Sequence, residues 1–392
     1  MKIKFLQMHG LPKGISLCVW GFIFLYLLFS MISISISEIF LLLAFLCWLV
    51  QCIKRKSKRL FPGFFWGLIA YAVLTVLSSI FSVDPEVSLK AARDVSLFLI
   101  VPIVYSGFDS QKDLQKANLA LLASAYISIL YSILCFVLKI VQEERLTGFM
   151  GHYMTQAGLL CLFCSVALSI FLFYKNKLGY LWGAGFILAL VPLALTLTRS
   201  AWVGLFVAVV LILLLYKPKN LIIIPIAIGL FFLVGPQNMK QRAIDIFSLK
   251  DLSNIHRIEY LKAGIQIVKD YPLLGTGPDM TDDVFQNPKY GLSDQARDNV
   301  HLHNNIIQIA AERGIPALLS WVVFMVWAFI SLLKLLIKRN TAILPLAVAG
   351  LAAFSALATA GFFEYNFGDS EITVLFLYII TIPLALARMK DN

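Results

Sequence analysis

Charge is what this sequence has least of. Only 14% of its 392 residues are Asp, Glu, Lys or Arg, against 60% hydrophobic, and mean hydropathy is +0.84. That excludes a soluble globular protein and implies an integral membrane protein. Cysteine is missing from the polar stretches: Cys18, Cys47, Cys52, Cys135, Cys161 and Cys164 all lie in or beside apolar runs, so no disulfide framework is expected. The CxxC pair Cys161 and Cys164 sits inside such a run, where small thiols pack as ordinary buried residues. No DxD and no HExxH occurs, so no metal or other cofactor is expected; Asp279, Asp282, Asp283, Glu364, Asp369 and Glu371 leave a hard-oxygen site as the competing reading. No small-residue cleavage site follows the first apolar run near Ile15, so no cleavable signal peptide is expected. With no internal repeat or low-complexity tract, 1–392 reads as a single membrane domain.

What is present is hydrocarbon in helix-length blocks. A helix needs about 20 apolar residues to cross a bilayer. Such runs recur at 15–34, 36–53, 61–82, 95–107, 117–140, 154–174, 179–198, 201–216, 220–235, 314–335, 341–363 and 371–387. They predict an all-α polytopic protein of about twelve transmembrane helices. The fourth run is short and contains Pro102, so a tilted or broken helix is expected there.

The net charge of +11 is not distributed as on a nucleic-acid-binding surface. More than half of the 33 Lys and Arg fall in alternate short loops: Lys2, Lys4 and Lys13; Lys54 to Arg59; Lys112 and Lys116; Lys175 and Lys177; Lys217 and Lys219; Lys334 to Arg339; Arg388 and Lys390. This positive-inside pattern places both termini in the cytoplasm and makes membrane lipid, not nucleic acid, the partner. It leaves one long external loop subdomain, 236–302, between the ninth and tenth spans.

In that segment Ser253-Asn254 reads as a helix cap, after which Ile255, Ile258, Leu261, Ile265 and Val268 recur at helical spacing until Pro272. The pattern predicts an amphipathic helix carrying His256, Arg257, Tyr260 and Lys262, lying on the membrane face or on neighbouring helices. Pro272-Leu-Leu-Gly275-Thr-Gly277-Pro278 is a turn signal, with a phosphate cradle as the alternative. His301-Leu302-His303-Asn304-Asn305 brings two of the five histidines to the edge of the tenth span, and an imidazole exchanges protons near neutral pH. In a strand the two rings share a face, whereas in a helix they diverge; the stripe Ile307, Ala310, Gly314 predicts that His303 begins a helix. Arg199 is the one strongly charged side chain between Leu178 and Tyr216, at the external turn of two spans. There a guanidinium either snorkels to the interface or grips phosphate oxygens in pairs. Arg257 is the second such cation.

Thr198-Arg199-Ser-Ala-Trp202 at an external turn, Arg257 followed by Asp270-Tyr-Pro-Leu-Leu-Gly-Thr-Gly277, His303-Asn304 followed by Gly314, and the closing Phe363-Glu364-Tyr-Asn366-Phe-Gly-Asp369-Ser-Glu371 together resemble the O-antigen ligase superfamily. The likeness covers Leu178 to the C-terminus by motif and the first half by topology. It implies a GT-C-like fold and transfer of a glycan from undecaprenyl diphosphate to a sugar hydroxyl of lipid A-core. The reaction it implies is inverting, uses no metal or nucleotide sugar, and occurs on the periplasmic face of the bacterial inner membrane. By position it implies that His303 is the general base and that Arg199 and Arg257 hold the diphosphate. Supporting roles are expected for His301, Asn304, His256, Glu364, Asp369, Lys90 and Arg93. Gly314 is followed here by Ile315-Pro316-Ala317-Leu318, where the family usually continues with a further small or polar residue, a departure that bears on the acceptor. Other members of the superfamily polymerise repeat units or ligate glycans to other acceptors, and that reading stands beside the ligase. A non-enzymatic transporter would carry ionisable residues within several spans and resemble itself between halves; neither feature is present in the sequence.

Overall fold

The computed structural model describes residues 13–55, 60–139, 145–338 and 340–391. Lys2, Lys4, Lys56, Lys58, Arg59 and Arg339 of the basic loops lie outside the described residues. Within these the secondary structure is helical, without strands: α1 (Lys13–Phe29), α2 (Ile34–Arg55), α3 (Phe65–Ile80), α4 (Pro85–Ala91), α5 (Ile100–Gly107), α6 (Gln111–Val137), α7 (Tyr153–Phe173), α8 (Lys177–Leu195) and α9 (Arg199–Tyr216). There follow α10 (Ile223–Val234), α11 (Gln237–Ile244), α12 (Leu252–Asp270), α13 (Thr281–Phe285), α14 (Asp294–Arg297), α15 (Asn305–Ile337), α16 (Leu344–Ala360) and α17 (Ser370–Asp391).

Seven helices, α2, α6, α7, α8, α9, α15 and α17, are long and apolar enough to cross a membrane, and α1, α3, α16 and the stretch Pro218–Val234 are shorter apolar helices. The protein is therefore a polytopic all-α membrane protein. The run at 95–107 is the broken helix expected there. It is a 3-10 turn, Ala92–Leu99, running into the short α5. Pro102 falls in the first turn of α5, where its missing N–H is not needed, so the chain changes pitch there. The bundle core is continuous from α1 to α17, and the Ala-rich α16 packs between α7 and α9. By contrast α10 has no buried residue and is apolar on every face, as suits a helix surrounded by lipid.

The two ends of the bundle differ. At one, the basic loops meet: Arg388 donates to the Phe108 carbonyl at 3.3 Å and Lys390 to Asn340 at 2.9 Å. At the other, the 236–302 segment folds over the helix ends and carries a small core of its own, including Tyr260, Ile267, Phe285, Tyr290 and Leu302.

The cap of α12 is Asp251 rather than Ser253-Asn254, because its carboxylate accepts the Asn254 N–H at 3.2 Å. Its buried face is Tyr260, Ala263, Gly264 and Ile267, small enough to let it lie close on α15. The stripe Ile255, Ile258, Leu261 and Ile265 points outward and is exposed. Neighbouring helices thus do not cover that stripe, and its outward face is the arrangement of an interfacial helix.

Helix α15 begins at Asn305, not at His303. Asn304 is its cap, accepting the N–H groups of Ile306 (2.9 Å) and Ile307 (3.1 Å), while His303 adopts a left-handed φ of 49°. The helix kinks at Gly314 (φ 81°, ψ 169°), and Pro316 then occupies the first turn of the second part, where a proline is tolerated. The Gly-rich turn docks on this kink. Thr276 N–H donates to the Ala311 carbonyl (2.9 Å), Gly277 N–H to that of Glu312 (2.8 Å) and Ile315 N–H to that of Pro272 (2.9 Å). With Gly275 N–H given to Tyr271 (3.2 Å), these amides are already engaged, so the motif is a packing turn and not a phosphate cradle. Gly275 and Gly314 both have positive φ, and a Cβ at either would lie 2.2 or 2.1 Å from the opposing backbone.

Candidate active site

The left-handed turn at His303 projects its ring between the 236–302 segment and the last turn, 361–369. That placement is anchored on both sides: Leu302 N–H donates to Gln308 at 2.6 Å, Asn305 N–H to the Gly361 carbonyl at 2.8 Å, and the Asn304 amide to the Phe362 carbonyl at 3.0 Å. A non-glycine residue pays for positive φ, and such residues gather where the surroundings over-determine them.

His303 Nδ1 lies 3.0 Å from Glu364 Oε2, and the two side chains are only 14% and 12% exposed. An ionised carboxylate can only accept, so the ring proton sits on Nδ1 and Nε2 holds the lone pair. Burial alone would push the Glu364 carboxyl up; the His303 ring beside it and the hydrogen bond from it outweigh this, and the carboxyl lies below its ordinary range. Its other oxygen accepts the Tyr365 N–H at 3.1 Å, which holds the carboxylate still. Nε2 accepts from the Asn299 amide at 2.6 Å. That amide also donates to the Tyr260 hydroxyl at 3.1 Å, whose proton goes to the Ala296 carbonyl at 3.3 Å. The result is a carboxylate-oriented imidazole with a basic nitrogen, the arrangement of a general base.

Two cavities meet at this dyad. One, of about 340 Å³, is lined by His152, His301, Asn366 and Asp369 and by apolar residues of α7 and α16. The other, of about 260 Å³, is lined by Arg145, Arg199, Arg242, Arg257 and His256. His303, Glu364, Asn299, Thr198 and Ser200 line both. The guanidiniums come from four elements: the loop before α7, the start of α9, α11 and α12. Arg199 is 6% exposed, donating to Asp251 at 2.7 Å and to the Asp245 carbonyl at 2.9 Å. Arg257 donates to Asn254 at 3.2 Å and to the Phe363 carbonyl at 3.3 Å. Arg145 stacks on Tyr153, 4.4 Å from the ring centroid. Burial, then the charges of Arg145 and Arg199, pull Arg242 below its ordinary pKa, and burial does the same to Arg257. Concentrated positive charge of this kind favours a multivalent anion.

The expected site residues separate into three groups. His303, Arg199, Arg257, His256, His301, Glu364 and Asp369 line one or both cavities. Asn304 is close to them, but its side-chain oxygen caps α15 and its amide holds the Phe362 carbonyl. Asp369 accepts from Thr155 at 2.5 Å and caps α17 through the Ile372 N–H at 3.3 Å. Lys90 and Arg93 line neither cavity: both are exposed, Lys90 paired with Glu86 at 2.7 Å and Arg93 bonded to the Lys90 carbonyl at 2.8 Å. Arg145, Arg242 and Asn299 were not foreseen. With basic residues concentrated at the opposite end of the bundle, any arginine in the loops of this end was a signal worth reading. Among the described residues no three His, Cys, Asp or Glu side chains gather as a metal site.

Residues 184–322 match the family model described as O-antigen ligase. The matched stretch runs from within α8 into α15 and contains Arg199, Arg242, Arg257, Asn299 and His303, whereas Arg145 and Glu364 reach the same site from outside it. No curated protein matches the chain. A histidine oriented by a carboxylate sits on the edge of an arginine-lined cavity at one end of an apolar helical bundle, and the stretch 184–322, which supplies three of that cavity's four arginines, is similar to the O-antigen ligase family.

Proposed function

We propose that the protein transfers a glycan from undecaprenyl diphosphate to a sugar hydroxyl of lipid A-core, on the periplasmic face of the bacterial inner membrane. The observation that carries this reading is His303, oriented by Glu364, on the shared wall of the arginine cavity and its neighbour. A diphosphate in the arginine cavity places the anomeric carbon of its glycan at that wall. The acceptor hydroxyl displaces the Asn299 amide from Nε2, gives its proton to that nitrogen, and its oxygen attacks the anomeric carbon. The bond from that carbon to the diphosphate oxygen breaks, and the electron pair leaves with the diphosphate. Charge growing on the leaving oxygen is met by fixed guanidiniums, the form of stabilisation that contributes most in such displacements. Attack opposite the leaving group inverts the anomeric centre. No protein nucleophile is needed because a lipid diphosphate is already a good leaving group.

The test is reconstitution in proteoliposomes with undecaprenyl-diphosphate glycan and lipid-linked acceptors. Removing a general base is expected to slow transfer by about 10²–10⁴-fold, so His303→Ala should lose at least a hundredfold. Transfer by His303→Ala at the wild-type rate would overturn the mechanism. Products in which donor units are joined to one another would assign the polymerase activity instead.

A further inference from the structure

A third cavity, of about 270 Å³, adjoins the first and has the opposite electrical character. It shares His301, Tyr365 and Gly368 with the first cavity and no residue with the arginine cavity. The His301 and Tyr365 rings, 5.4 Å apart and edge to face, form the partition. The first cavity therefore lies between the other two.

Its polar lining is built. Glu312 is 1% exposed and fully used: its carboxylate accepts from the Asp279 N–H, the Thr281 hydroxyl and the Gln308 amide and pairs with Arg313. Asp94 and Asp279 also line the cavity; both are exposed, and neither carboxylate receives a hydrogen bond or ion pair among the described residues. Asp279 holds a left-handed φ of 63°, so the loop spends a strained conformation on presenting it. Behind this lining, two atoms are shut off from solvent without a partner among the described residues, His301 Nδ1 and Arg313 Nε. Tyr71, Phe98 and Phe367 supply aromatic wall.

This mixture selects a ligand class. An anion meets two unneutralised carboxylates and is disfavoured. A purely apolar ligand strips water from both carboxylates without replacing its hydrogen bonds. A pyranose meets both kinds of wall: its hydroxyls donate to the carboxylates and its C–H face packs on the aromatic rings. Location adds a constraint. In an inverting displacement the nucleophile arrives opposite the leaving group, so with the diphosphate in the arginine cavity the acceptor comes through the first cavity from the far side, where the third one opens.

We propose that the third cavity is the subsite for an uncharged or amino-bearing sugar of the acceptor glycan, with Asp94 and Asp279 receiving its hydroxyl or amino protons. The assignment to the acceptor rests on the glycan-transfer reading above. Two measurements separate the two ideas. First, detergent-solubilised protein is applied to an array of neutral, amino and phosphorylated glycans, which needs no turnover. Wild type and His303→Ala should retain neutral or amino glycans, and the double variant Asp94→Asn, Asp279→Asn should lose about tenfold or more in retention; asparagine tolerates the left-handed conformation at 279. Retention of phosphorylated glycans only, of none, or equally by the double variant with an unchanged melting temperature overturns the subsite. Second, in the proteoliposome assay the double variant should raise acceptor KM about tenfold or more with donor KM unchanged; a rise in donor KM alone overturns the assignment to the acceptor. If wild-type protein transfers no glycan, the glycan-transfer reading fails, and the array result still decides whether the cavity binds sugar.

Discussion

Glu364→Gln isolates the chemistry of the dyad with almost no change in shape. In the wild type, Glu364 Oε2 accepts the Nδ1 proton of His303 at 3.0 Å in a largely buried setting. In the proposed transfer, when Nε2 takes the acceptor proton, an imidazolium forms beside that carboxylate. At a charge separation of about 4 Å and an effective dielectric constant near 20, the attraction is roughly 4 kcal/mol. Glutamine removes it. Its amide can also donate to Nδ1, which moves the ring proton to Nε2 and abolishes the lone pair that must accept. At about 1.4 kcal/mol per tenfold, the expected loss is roughly 10³-fold in kcat, similar to that from neutralising the orienting carboxylate of a Ser-His-Asp triad. Donor KM should stay level or fall, because the lost negative charge also faced the arginine cavity. The assay is initial-rate glycan transfer in proteoliposomes with donor and acceptor varied separately, with Glu364→Asp as the partial-rescue control. A Glu364→Gln protein that keeps more than half of wild-type kcat, or loses activity only through a raised donor KM, refutes the orientation argument.

The same pair makes a statement about pH. Glu364 titrates below its ordinary value of 4.5 in the fold, so its stabilisation is fully present above about pH 4.5 and is lost as pH falls through the lower folded value. The wild-type melting temperature should therefore drop more steeply below pH 4.5 than that of Glu364→Gln, and parallel curves would contradict this. Arg199→Ala strands the Asp251 carboxylate, 16% exposed, and should destabilise by about 3–5 kcal/mol. Adding Asp251→Asn should restore the melting temperature but not donor binding; recovery of both would make Arg199 purely structural. Arg242→Ala should raise donor KM by about tenfold, since a guanidinium contributes paired phosphate contacts, and an unchanged donor KM would remove it from the site. Asn304→Ala deletes the α15 cap and should cost about 1 kcal/mol, read as a lower melting temperature; an unshifted melting temperature would mean the cap is redundant.

Much of the architecture is legible because hydrocarbon leaves little choice. A backbone inside lipid must satisfy its own hydrogen bonds, so an apolar run of the right length becomes a helix, and the long runs of this chain did. The short run at 95–107 is the broken helix expected there, a 3-10 turn leading into a short helix. Periodicity located α12 and its apolar stripe but left open whether membrane or neighbouring helices would meet it. The regular apolar stripe turned outward, and the small residues Ala263 and Gly264 went inward. Hydrophobicity tells which residues leave water, not whether lipid or protein receives them.

The sequence by itself determined that this is a helical membrane protein with one long polar segment between its apolar runs, and it singled out His303, Arg199 and Arg257 as unusual. Tertiary structure decided what those residues do together. It brought Glu364, 61 residues from His303 in sequence, to the imidazole, gathered Arg145 and Arg242 around the same cavity, turned Asn304 into a cap and left Lys90 and Arg93 outside. Local pattern reports how a segment meets its solvent. The tautomer of a ring, the sum of four guanidinium charges and the walls of a cavity depend on groups far apart in the chain, which only packing brings within reach of one another.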